Sequence, residues 1–122
     1  MKVLALLLVS LGIAFAQTDT AQIKPSKKFW SLAGGLVIST VYDIETTEHC
    51  IDLRRCHEGN IAMRSIYGNG RGVAYGVNMG VDVGVIALSH ALKRHSAKRW
   101  ALPMWSGIAV HGADGTANLR FR

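Results

Sequence analysis

The sequence lacks the short motifs that identify most catalytic and metal-binding sites. It has two cysteines and no C-x-x-C pair, so the spacing typical of a structural zinc site is missing. No P-loop, no Ser-His-Asp pattern, no internal repeat and no low-complexity segment is present. We therefore expect no cofactor, and an enzymatic activity is the less favoured expectation.

Acidic residues are also few, with eight Asp and Glu against 14 Lys and Arg, for a net charge of +6. A nucleic-acid-binding module would place its basic residues on one continuous face. Here they fall in three blocks between apolar stretches: Lys24/Lys27/Lys28, Arg54/Arg55 to Arg71, and Lys93–Arg99. Cations that flank apolar spans are typical of membrane proteins beside anionic headgroups. The expected partner is a lipid bilayer and not a nucleic acid.

The N-terminal segment, residues 1–16, has the pattern of a signal peptide. Lys2 supplies a positive start, Val3–Leu11 is apolar, and Ala14-Phe15-Ala16 fits an A-x-A cleavage site. An uncleaved membrane anchor is the alternative. Residues 17–28 follow as a polar linker, which leaves residues 29–122 as the predicted membrane domain.

Three apolar stretches in that domain predict three helices: Phe29–Ile44, Gly72–Leu92 and Trp100–Leu119. None is apolar throughout the roughly 20 residues that a full crossing needs, and the first reaches that length only if its helix continues through Thr47. The short connector Lys93–Arg99 predicts that the last two helices are antiparallel neighbours. We predict an all-α fold, a small three-helix membrane protein, and a secreted soluble helical protein is the alternative.

Glycine recurs at every fourth position of the second stretch, at Gly72, Gly76, Gly80 and Gly84. In water each interior glycine costs a helix about 1 kcal/mol relative to alanine. In lipid, small residues instead allow a neighbouring backbone to come close. The glycine stripe therefore predicts a close helix contact, either with the third helix or with a second copy of the protein or another membrane protein.

All three predicted helices contain polar residues that form an intramembrane candidate cluster: Asp43, Thr47, Asn78, Asp82, His111, Asp114 and Asn118. An isolated carboxylate at mid-bilayer costs about 2.5–3.5 kcal/mol, so we expect the helices to turn these side chains towards each other. Asp82 and His111 each lie near the middle of a helix and should face the same space.

This cluster is consistent with two kinds of function. Hydrogen bonds between polar side chains commonly hold membrane helices together, which favours a structural or partner-binding protein. Ionisable groups in a membrane also handle protons or ions. A transporter-like or enzyme-like protein that uses Asp43, Asp82 and His111 is therefore the alternative.

Both cysteines lie in the polar segment between the first two apolar stretches, as His49-Cys50 and Cys56-His57. A disulfide between Cys50 and Cys56 is expected if this loop lies outside the cytoplasm, and free thiols if it lies inside. A metal site of His49, Cys50, Cys56 and His57 is less favoured, because each histidine adjoins its cysteine.

The signals for membrane orientation conflict. A cleaved signal peptide would place the cysteine loop in the cytoplasm. The Lys and Arg residues of the two sides are nearly balanced, seven on the side of the N-terminal linker against six on the side of the loop. The positive-inside rule therefore weakly opposes that orientation.

A series of short motifs follows the first apolar stretch: Asp43-Ile-Glu-Thr-Thr, Cys50, Cys56, Glu58-Gly59-Asn60 and Met63-Arg64. Over Trp30–Phe121 the chain resembles a group of small bacterial membrane proteins. These pair an Asp-x-x-(Ser/Thr)-Thr helix end with a Glu-x-Asn-Pro loop and two further helices. Ile61 stands where that pattern has proline. The resemblance implies a helical membrane protein and brings no activity with it. The expected location is the bacterial inner membrane, with the periplasm or secretion as the alternative.

Overall fold

The computed structural model describes residues 24–53, 61–95 and 97–121. Four α-helices follow one another: α1 (Lys27–Asp52), α2 (Ile61–Gly68), α3 (Arg71–Arg94) and α4 (Leu102–Asn118). A 3-10 turn, Leu119–Phe121, comes after α4, and these ranges contain no strand. The predicted all-α class is therefore confirmed. The predicted signal peptide, residues 1–16, lies outside the described residues, and the predicted linker ends earlier than expected because α1 begins at Lys27.

Helix α2 was not among the three predicted helices. It has eight residues, which is too short for a helical period to stand out in a polar segment. A turn at residues 68–70 separates it from α3. Gly70 adopts a φ of 99°, a left-handed conformation that glycine reaches without steric cost.

Helix α1 begins at a side-chain cap and extends beyond its apolar stretch. The Ser26 hydroxyl accepts a hydrogen bond from the Phe29 backbone N–H at 3.3 Å, as expected of an N-cap residue. The helix then continues through Thr47 to Asp52, the extension that a full-length span required. Its 26 residues correspond to about 39 Å of helix at 1.5 Å per residue.

The helices pack around two apolar clusters, one near each end of the bundle: α1, α3 and α4 form the first, and α1, α2 and α3 form the second. The first contains Phe29, Leu32, Ala33, Leu36 and Met104, and the second contains Ile44, Tyr67 and Ala74. Val85 and Ile86, from the C-terminal half of α3, pack on the first cluster together with the beginning of α4. The helices α3 and α4 are therefore antiparallel, as their short connector predicted.

The distribution of polar and apolar side chains is unusual for a bundle in water. Its buried polar residues are Thr40, Asp43, Thr46, Thr47, Glu48, Asn78, Asp82 and Ser89. Its large apolar residues that are more than half exposed are Trp30, Ile38, Val83, Leu102, Trp105 and Val110. Soluble proteins usually bury apolar side chains and expose polar ones, so these buried polar and exposed apolar residues need an explanation.

Among the described residues, one helix, Arg71–Arg94, is long and apolar enough to cross a bilayer by length and composition. Only 22% of its most apolar window is buried against the rest of the chain. Helix α1 contains four carboxylates, and α4 has 17 residues, the lower limit for a span. One of the three predicted spans thus meets the criteria.

The glycine stripe does not contact α4, so the predicted contact with the third helix is not formed. An added Cβ at Gly72, Gly76, Gly80 or Gly84 would have no atom within 4 Å. Helix α3 instead turns Ala74, Asn78, Asp82 and Ser89 inward. The alternative contact with a second copy remains a prediction.

Two glycines of α4 do allow a close approach to α1. A Cβ at Gly107 would stand 2.6 Å from Leu36 Cδ1. A Cβ at Gly115 would stand 2.6 Å from the Tyr42 ring and 3.3 Å from Asp43 Cα. These spacings place the backbone of α4 directly against α1, next to Asp43.

We predict that Gly115→Ala destabilises the bundle by about 1–3 kcal/mol, the usual cost of overpacking. The matched control is Gly112→Ala, where a Cβ has no atom within 4 Å. It should be neutral or stabilising by up to about 1 kcal/mol, because alanine favours the helix. Thermal unfolding in mild detergent, followed by circular dichroism, measures both variants. Equal unfolding temperatures would contradict the close approach of α1 and α4.

Candidate functional site

Three ionisable side chains, one from each long helix, meet inside the bundle. We refer to Asp43 of α1, Asp82 of α3 and His111 of α4 as the Asp–His–Asp cluster. The Nδ1 atom of His111 lies 2.7 Å from Asp43 Oδ2, and its Nε2 atom lies 4.0 Å from Asp82 Oδ1. Their side chains are 10%, 3% and 15% exposed, in chain order. The structure thus brings Asp82 and His111 together, as the sequence predicted.

The cluster occupies a layer between the two apolar clusters. On α1, Asp43 lies between Leu36 of the first and Ile44 of the second. On α4, His111 comes one turn after Ile108, which packs on the first cluster. Apolar side chains therefore border the Asp–His–Asp cluster in both directions along α1. Electrostatic interactions are stronger in such an environment than in water.

Asp43 is held by hydrogen bonds at both carboxylate oxygens. Thr47 Oγ1 donates to Asp43 Oδ1 at 3.3 Å, and Asn118 Nδ2 donates to Thr47 Oγ1 at 2.7 Å. An ionised carboxylate only accepts hydrogen bonds, so His111 Nδ1 is the donor to Asp43 Oδ2. This bond fixes the imidazole ring with Nε2 directed towards Asp82.

Asp82 has a different environment. Thr40 of α1 lies close enough to interact with this carboxylate, but the contact lacks full hydrogen-bond geometry, and neither Thr40 Oγ1 nor Asp82 Oδ2 has a hydrogen-bond partner. Asp82 is 2% exposed and Thr40 is fully buried. A carboxylate oxygen without a partner is costly in such a place. Together with Nε2 of His111, it forms a buried set of atoms that can accept a proton.

Two other members of the predicted cluster lie apart from these three residues. Asn78 is buried, but its amide donates to the Ala74 carbonyl of its own helix at 2.8 Å. Asp114 is exposed, although its charge acts on His111. The expectation that Asp114 turns inward is therefore wrong. Helix α4 directs His111 and Gly115 into the bundle, and at 100° per residue Asp114 falls at the edge of that face.

Sequence reasoning missed Thr40, which faces Asp82 across the helix interface. Its position three residues before Asp43 places both on one face of α1, and this spacing was the available signal. It also missed a polar contact nearer the second apolar cluster. There the Tyr75 hydroxyl donates to Glu45 Oε1 at 2.7 Å, and Arg71 lies 3.3 Å from Glu45 Oε2.

The predicted cysteine site falls only partly within the described residues. Cys50 is disulfide-bonded. The chain's other cysteine, Cys56, and the adjacent His57 lie outside the described ranges, and His49 is exposed on α1. Within those ranges, no group of three or more His, Cys, Asp or Glu residues is arranged to hold a metal ion.

No protein-family model, curated protein or solved structure matches this chain. The resemblance to small bacterial membrane proteins therefore stays a prediction. Any function has to be argued from the geometry of the described residues.

We predict that Asp43→Asn destabilises the bundle by about 3–5 kcal/mol, the cost of leaving one partner of a buried ion pair unpaired. Glu45→Gln is the control, because Glu45 is two positions away and its carboxylate is 44% exposed. Loss of an exposed pair costs about 0–1 kcal/mol. Denaturant unfolding in detergent compares the two variants. A similar loss in both would show that the Asp43–His111 contact is not central to stability.

Proposed function

We propose that this chain is a small membrane-embedded helical protein that associates with a second copy of itself through the outer face of α3. One observation carries the proposal, namely the exposed apolar face of α3, the one helix among the described residues that is long and apolar enough to cross a bilayer. Val73, Val77 and Val81 are each at least 40% exposed on α3, next to the open glycine stripe. In water this face would favour aggregation, whereas in lipid it needs no covering within the chain.

The two ends of the bundle support a membrane setting. At the end formed by the beginnings of α1 and α4, Lys93 Nζ lies 5.1 Å from the Trp100 ring centre, 5.7 Å from that of Phe29, and 2.7 Å from Ser26 Oγ. Lys28 Nζ lies 5.9 Å from the Trp100 ring centre. Aromatic rings that meet cations are typical of the layer between hydrocarbon and headgroups.

This end also supports an orientation in the membrane. Its described cations are Lys24, Lys27, Lys28, Lys93, Arg94, Lys98 and Arg99, and the same segments of sequence contain no acidic residue. The disulfide-bonded Cys50 lies near the opposite end of α1. A basic end in the cytoplasm and a disulfide on the oxidising side agree with each other. We therefore favour an inner-membrane protein with its basic end inside, which weighs against the orientation set by a cleaved signal peptide.

A second copy is the simplest partner for the glycine stripe. Gly72, Gly76, Gly80 and Gly84 form a continuous strip without side chains, along which another helix backbone can approach closely. A two-fold symmetric contact requires only one such face, presented by both partners. Inside each copy, the hydrogen bonds from His111 to Asp43 and from Asn118 to Thr47 join α1 to α4.

We predict that the protein remains in the membrane pellet after a carbonate wash. The reason is the apolar outer surface, which only lipid can cover without a partner. Quantitative immunoblotting of pellet and supernatant measures this, with a soluble periplasmic protein as the control. Recovery in the supernatant would contradict the membrane proposal and support the secreted alternative.

We predict that Gly76→Leu with Gly80→Leu abolishes association but leaves each copy folded, because an added Cβ at either position meets no atom of its own chain within 4 Å. The matched control is Gly34→Leu, which introduces the same side chain at another exposed helical glycine with open space around it. Analytical ultracentrifugation in detergent should show a dimer for wild type and the control, and a monomer for the double variant. A dimer that survives both leucines would overturn the proposed interface.

A further inference from the structure

A role in holding the helices together accounts for the buried carboxylate of Asp43 but not for that of Asp82. Every carboxylate oxygen of Asp43 has a partner, as expected of a group that holds helices together. Asp82 is equally enclosed, yet its Oδ2 atom has none, and the nearby Thr40 Oγ1 also has none. A purely structural role would be better served by an amide or an apolar residue, because an unpaired buried charge is strongly destabilising.

We propose that Asp82 and His111 form a proton-binding site that holds one exchangeable proton between the Asp82 carboxylate and His111 Nε2. The proton comes from water and adds to an oxygen of Asp82 or to Nε2, and no other bond is made or broken. Asp43 is the positioning residue, since its bond to Nδ1 keeps Nε2 directed at Asp82. This inference concerns the bundle interior and does not depend on association through α3.

The charges around the site define its two states. The ionisable groups that act on it are Asp43 from α1, Asp82 from α3, and His111 and Asp114 from α4, and no Lys or Arg of the described residues is among them. With an imidazolium, an ionised Asp43 and a protonated Asp82, the cluster is neutral. Loss of one proton leaves a net negative charge in an apolar layer. The proton belongs to the coupled pair and not to one residue alone.

The 4.0 Å between Nε2 and Asp82 Oδ1 is longer than a direct hydrogen bond. Proton-transfer groups are often this far apart before the transfer geometry forms, and one bridging water is enough to connect them. The unpartnered hydroxyl of Thr40 faces the same carboxylate and can donate to it when Asp82 is ionised. Asp82 can therefore be stabilised in both states.

The test uses the full chain in lipid nanodiscs and infrared difference spectroscopy between acidic and alkaline buffer. Wild type should show a carboxylic-acid C=O band that appears on acidification. Asp82→Asn should lose this band, and Asp52→Asn, which removes an exposed carboxylate at the end of α1, should retain it. A band that persists in Asp82→Asn, or that is absent from wild type, would overturn the proposal. So would a band that responds to sodium at constant pH.

A second measurement does not require the Asp82→Asn variant to fold. Solid-state NMR of wild type with ¹³C-labelled aspartate and ¹⁵N-labelled histidine should show one aspartate carboxyl carbon and one histidine Nε2 that titrate together and correlate through space. Asp43→Glu should alter that titration by displacing the imidazole. The correlation should persist in the Gly76→Leu, Gly80→Leu protein, which separates this inference from the proposed association. Independent titration of the two nuclei in wild type would contradict it.

Discussion

The hydrogen bond between His111 and Asp43 is the contact on which the arrangement of the bundle depends. At 2.7 Å it joins α1 to α4 in a layer that apolar side chains close on both sides. It also fixes the rotation of both helices, because each must turn its charged group inward. The approach of the two backbones at Gly115 follows from this contact, since a larger residue there would meet the Tyr42 ring and the backbone at Asp43.

A consequence of this polar interior is an apolar exterior. Once α3 directs Asn78, Asp82 and Ser89 inward, its glycine stripe and the valines beside it, Val73, Val77 and Val81, point outward. Two helical faces with opposite polarity cannot both be buried in so small a bundle. The surroundings of the protein therefore have to supply what the chain does not, either lipid or another apolar helix. The polar interior and the apolar exterior of the bundle are two aspects of one constraint.

Much of this could be predicted from the sequence, but the limits are instructive. Depth along a helix follows from residue number at 1.5 Å per residue, which is why Asp82 and His111 were expected at one level. Rotation about the helix axis is less well determined. The sequence predicted both inward polar residues and a glycine contact on α3, and in the structure only the polar face turns inward. The rotation depends on the side chains of the neighbouring helices, and the period of a single helix does not contain that information.

Other features lacked any periodic signal. Gly107 and Gly115 form the close contact between α1 and α4, yet their spacing is irregular, whereas the regular stripe on α3 touches nothing within its own chain. Asp114 was expected inside because it follows His111 by three residues, but this offset leaves it at the exposed edge. Helix α2 was hidden by its length. The regular glycine stripe of α3 thus marks an outer surface, whereas Gly107 and Gly115 determine how α4 packs on α1.

Helix α3 connects the two proposals made for this protein. Asp82 lies between Gly80 and Gly84 in sequence and on the opposite side of the same helix. A helix behaves as a nearly rigid rod over this distance, so a rotation of α3 moves both faces together. Any partner that binds the glycine stripe and turns α3 would therefore also change the 4.0 Å separation between His111 Nε2 and Asp82 Oδ1. The bond between His111 and Asp43 lies on the other two helices and would be unaffected. Asp43 and His111, on α1 and α4, therefore keep their positions relative to each other. Asp82, on α3, can be displaced by a partner that binds the outer face of that helix.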